Sequence, residues 1–126
     1  MQWRRISPAQ REAIAAMIKQ NWTPYYTNDS NEITVSADAD NPEGNMLASQ
    51  ITDLLVKECK IIHRVDRGMS TYSNGRPAGL FLTVKDLKYI PEHGAIILRA
   101  FRTHAINLNM QLAVKANLDK DAVLIF

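Results

Sequence analysis

Among its 126 residues the chain has a single cysteine, Cys59, so no intramolecular disulfide can form, and zinc or redox motifs built on paired cysteines are excluded. No apolar run approaches the roughly 18 residues of a membrane-spanning helix, and the N-terminus lacks the apolar core of a signal peptide. The chain as given is therefore expected to be soluble and cytoplasmic. Neither charge is in excess. The 15 Lys and Arg against 13 Asp and Glu leave +2, too balanced for a surface that tracks phosphates, so nucleic acid is not an expected partner. His-Glu-x-x-His, Gly-x-Ser-x-Gly, a Walker loop and a dinucleotide fingerprint are all absent, and the two glycines of GRPAG at residues 75–79 match neither phosphate motif. Internal repeats and low-complexity stretches are absent too.

What is present is globular. Hydrophobic residues at 46% and charged residues at 22% fit one domain over residues 1–126, long enough to bury about two thirds of its unfolded surface. Residues 1–5, with Trp3, Arg4 and Arg5, precede any periodic pattern and read as a linker or a frayed end. Ser7, Pro8 and Gln10 form the start of a capping box, predicting a helix over residues 8–20 with Ile14, Met17, Ile18 and Trp22 on its buried stripe. Residues 21–32 hold Pro24, Tyr25, Tyr26 and a turn-forming cluster, which predicts an irregular connection.

Over residues 32–37, Ile33, Val35 and Ala37 alternate with Glu32, Thr34 and Ser36 as in a half-buried strand. Asp38 and Asp40 follow. Asn41 is then placed to cap a helix beginning at Pro42, its side chain accepting a first-turn N–H, and running to about residue 58. Leu47, Ile51, Leu54 and Leu55 mark its inner stripe, with Asp53 and Lys57 as a surface ion pair. A second strand at residues 60–65 completes a parallel strand-helix-strand unit with a right-handed crossover. Residues 66–78 read as a long flexible loop, of a length that is often functional.

Residues 79–84 predict a central strand covered on both faces. Pro91 starts a helix ending near His104, with Gly94, Ile97, Leu98, Phe101 and Ala105 inward and Arg99 and Arg102 outward. Strict alternation over residues 106–114 predicts a half-exposed strand, and residues 122–126 a short buried one, which either leads onward or is tucked into the sheet. The expected fold class is α/β: an N-terminal helix, then βαβ, a long loop, βαβ and a short last strand, in a mixed open sheet covered by helices.

The best-formed candidate site lies where the first strand ends and the Pro42 helix begins. Free N–H groups and the helix dipole favour an anion there, although Asp38, Asp40 and Glu43 are themselves anions. Asp40, Asn41 and Asn45 are the candidate ligand-binding residues on this side, and Arg67 and Arg76 could reach over from the long loop. DADNPEGN lacks the ligand spacing and closing glutamate of a calcium loop, so no metal is expected. His93 and His104 stand eleven residues apart on one helix, roughly 16 Å at about 1.5 Å per residue, and cannot share a metal. Cys59 with His63 lacks an identifiable orienting group, and Cys59 reads as a buried structural thiol. No catalytic residue and no cofactor is assigned.

The Ser-Pro-x-Gln helix start, DxDNPEGN after a strand, LASQI in the helix, and the later GLFLTV and AVLIF strands together resemble uncharacterised bacterial domains attached after membrane helices. The resemblance spans residues 6–126. In the usual pattern an alanine and a glycine-tryptophan pair stand where this chain has Glu58, Cys59 and Lys60. The resemblance implies a cytoplasmic domain of a larger anchored protein, tethered to the inner membrane only through a segment outside this chain. The functional expectation is a non-enzymatic sensory or protein-interaction domain, with a protein partner or self-association. The alternative is a small-molecule or nucleotide-binding enzyme domain with its site at the strand carboxyl ends, its ligand unknown.

Overall fold

The computed structural model describes residues 4–22, 33–38, 41–61, 65–70, 80–114 and 123–125. Within them are α1 (Pro8–Asn21), β1 (Ile33–Asp38), α2 (Pro42–Asp53), a π-helical turn (Leu54–Glu58), β2 (Val65–Ser70) and β3 (Leu80–Val84). The order continues with α3 (Glu92–His104), a 3-10 turn (Ile106–Leu108), β4 (Met110–Val114) and β5 (Val123–Ile125). The fold is α/β with a mixed open sheet, in the order expected from the pattern.

The sheet runs β2-β1-β5-β3-β4. β1 is parallel to both β2 and β5, β3 is parallel to β4, and β5 meets β3 antiparallel. The units β1-α2-β2 and β3-α3-β4 therefore run in opposite directions, with β5 as the seam. Two such units are related by an approximate two-fold axis normal to the sheet, and the usual right-handed crossovers set both helices on one face. α1 lies between them, touching α3 on one side and the π turn on the other.

Strand alternation sorts the core. Ile33, Val35 and Ala37 of β1, Leu80, Leu82 and Val84 of β3 and Met110 of β4 are buried with Ile14 and Ile18 of α1, Leu47 and Ile51 of α2, and Ile97 and Phe101 of α3. The capping box forms as predicted: Gln10 N donates to Ser7 Oγ and Ser7 N to Gln10 Oε1. Gly94, Ile97, Leu98, Phe101 and Ala105 are all buried while Arg99 and Arg102 are exposed, so the third helix presents the expected stripe.

The second helix ends at Glu58 as expected but changes type on the way, and two strand boundaries differ from expectation. The second helix is α-helical only to Asp53 and then widens into the π turn, closed by Cys59 N donating to Leu54 O at 3.0 Å. Continued α-helix would set Glu58 beneath Leu54. The extra residue sets Cys59 there instead, buried beside Leu54 and Leu55, and leaves Glu58 half-exposed to pair with Arg11 at 3.3 Å.

The second strand begins at Val65 and not at residue 60. Lys60 turns the chain at φ 62°, and Ile61 is used as a core plug whose N–H donates to Leu55 O. The strand thus takes in residues 66–70 of the expected loop; residues 71–79 lie outside the described residues. The fourth strand begins at Met110, because residues 106–108 close a 3-10 turn and Asn109 is left-handed at φ 50°. Alternation there satisfies the 3-10 turn equally well, since Leu108 is buried and Ile106 exposed.

The N-terminal residues are tied down rather than frayed from Arg4 onward. Arg4 N donates to Glu43 Oε2 at 2.8 Å, its Nε pairs with Glu43 Oε1 at 3.1 Å, and Ile6 N donates to Gln50 Oε1 at 2.9 Å. The expected Asp53–Lys57 pair is present at 3.8 Å.

Phe101 is fully buried in the shared core. Phe101→Ala is expected to cost about 3–5 kcal/mol in chemical denaturation, and a loss under about 1 kcal/mol would contradict its full burial in the core.

Candidate functional site

The site anticipated at the start of α2 is set by strand direction. Asp38 and Ser70 end the paired strands β1 and β2, and Leu80 and Met110, which begin the oppositely directed β3 and β4, stand at the same rim. α2 starts there at Pro42, and α3 ends there, just before the 3-10 turn. The rim thus combines the positive end of one helix dipole with the negative end of another.

Asn41 is the N-cap residue by position, with extended backbone at φ −112° and ψ 97°, but its side chain makes no capping hydrogen bond. That corrects the expected cap. The amide instead folds over Gly44: a Cβ at Gly44 would stand 2.8 Å from Asn41 Nδ2. Asn45 does the work at the helix start, its Nδ2 donating to Asn41 O at 2.9 Å alongside the backbone bond from Asn45 N, also 2.9 Å. Glu43, on the first turn where a carboxylate favours the dipole, holds Arg4.

The structure therefore brings Asn41 and Asn45 together and engages both in starting the helix. Arg67 lies in β2 opposite Val35, three residues short of the rim, so its backbone belongs to a strand and not to a loop. Asp40 and Arg76 lie outside the described residues, as do Tyr25, Tyr26 and His63. Among the described residues no group of three His, Cys, Asp or Glu is placed to hold a metal ion. No helix is long and apolar enough to cross a membrane among the described residues.

Other groups of chemical interest belong to the core. His93, in the first turn of α3, is buried edge-on to Trp22, with ring centroids 6.2 Å apart and planes at 87°. This contact joins the carboxyl end of α1 to the amino end of α3. Cys59 is buried with its Sγ 4.0 Å from Ala15 O, the structural thiol expected. Burial pushes that thiol up from 9.0 to about 11; the nearby Lys19 charge opposes the rise, Glu58 adds to it and Arg11 opposes it.

Sequence reasoning missed two features. The Arg4–Glu43 and Ile6–Gln50 bonds join residues about forty positions apart, and no local pattern announces such pairs. The second is the turn after β3, where Lys88 N donates to Asp86 Oδ1 at 2.9 Å and Tyr89 N to Asp86 O at 3.1 Å. The aspartate at the turn's head was the available signal. That turn keeps Leu87 and Tyr89 at the surface.

Because the folded thiol titrates above the unfolded one, its contribution to stability is complete below pH 9 and is lost as pH rises toward 11. Between about pH 8 and pH 10 the wild type is expected to lose about 1 kcal/mol more than Cys59→Ala, read by urea denaturation at each pH. Parallel losses in the two proteins would show that Cys59 ionises as freely folded as unfolded. No family model, curated protein or solved structure matches the chain.

Proposed function

We propose that this is a non-enzymatic interaction domain of the sensory or adaptor kind, the cytoplasmic part of a larger membrane-anchored bacterial protein. The observation that carries the reading is where apolar surface is left in water. Leu87, Tyr89, Ile106 and Val114 are the large hydrophobic residues exposed among the described residues, and all four belong to the β3-α3-β4 unit or its turns. Apolar side chains left in water on one of the two strand-helix-strand units, Ile106 at one end and Leu87, Tyr89 and Val114 at the other, support a partner-binding role for that unit.

The rim at the start of α2 supports the same reading from the other side. Asn45 holds Asn41, and Glu43 holds Arg4, so these polar groups, among the described residues, serve the helix start and the N-terminal strap. The competing reading, a small-molecule or nucleotide-binding enzyme domain, draws on the carboxyl ends of β1 and β2 meeting the amino end of α2, where open α/β sheets place ligands.

Turnover separates the two. With a panel of nucleotides, phosphoesters and acyl esters, the wild type, Asp40→Asn and Arg67→Ala are expected to give the same background rate. A rate that either substitution lowers by about tenfold or more overturns the interaction reading in favour of the enzymatic one.

A further inference from the structure

We draw no further inference here: the strongest candidate, the apolar surface patch along the outer edge of β4 with Ile106 at one end and Leu87, Tyr89 and Val114 at the other, carries nothing because nothing in the structure shows what covers it.

Discussion

The position of α1 between the two strand-helix-strand units is the constraint on which the rest of the structure depends. The units run oppositely and share only β5 as a seam, so their helices leave a gap on the common face of the sheet. Ile14 and Ile18 are fully buried in it. The polar ties around α1 are Arg4–Glu43, Gln10–Asn107 and Arg11–Glu58, linking it to the start of α2, the turn after α3 and the π turn. These pairs are partly or wholly exposed, where each contributes little beyond orientation. Burial of the isoleucines, at about 1.5–3 kcal/mol for a fully buried side chain, is the larger effect, and the ties fix the direction in which the helix lies.

That direction has a consequence at each end of α1. Its amino end, through Gln10, lies by Asn107 in the turn after α3, and its carboxyl end, through Trp22, lies by His93 at the opposite end of α3. α1 is therefore antiparallel to α3. The strap of residues 4–6 runs back along α2, through Glu43 and then Gln50. Arg4 thus sits beside the amino end of α2. The β4 edge lies across the sheet from that point.

Element type and order were readable from the residues because periodicity and capping act locally. Ser7-Pro8 and Gln10 specify the start of α1 through bonds made within one turn, and the stripe from Gly94 to Ala105 needs only a helical period. The failures lie where a nonlocal fit decided between local options. Residues 60–65 alternate adequately for a strand, but burying Cys59 and Ile61 together requires a widened turn and a left-handed Lys60, and this moves β2 onward by five residues. Residues 106–108 alternate too, yet the chain must first turn from α3 into line with β3. At the candidate site, Asn41 has the residue type and place of a cap but not its bond, because Asn45 reaches the Asn41 carbonyl and the Asn41 amide rests over the open space at Gly44.

The seam strand joins the two strand-helix-strand units into one sheet. β5 pairs with β1 some ninety residues earlier in the chain and with β3 some forty earlier, so its insertion carries the largest loop-closure cost in the sheet. Until it inserts, β1 and β3 each present an inner edge as well as the outer edges of β2 and β4. Insertion closes both inner edges at once and leaves the outer two. The inner edges are apolar because the completed core demands it: Ile33, Val35, Leu82 and Val84 line them. The same demand reaches β4, where Met110 is buried in the core and Leu112 packs against it.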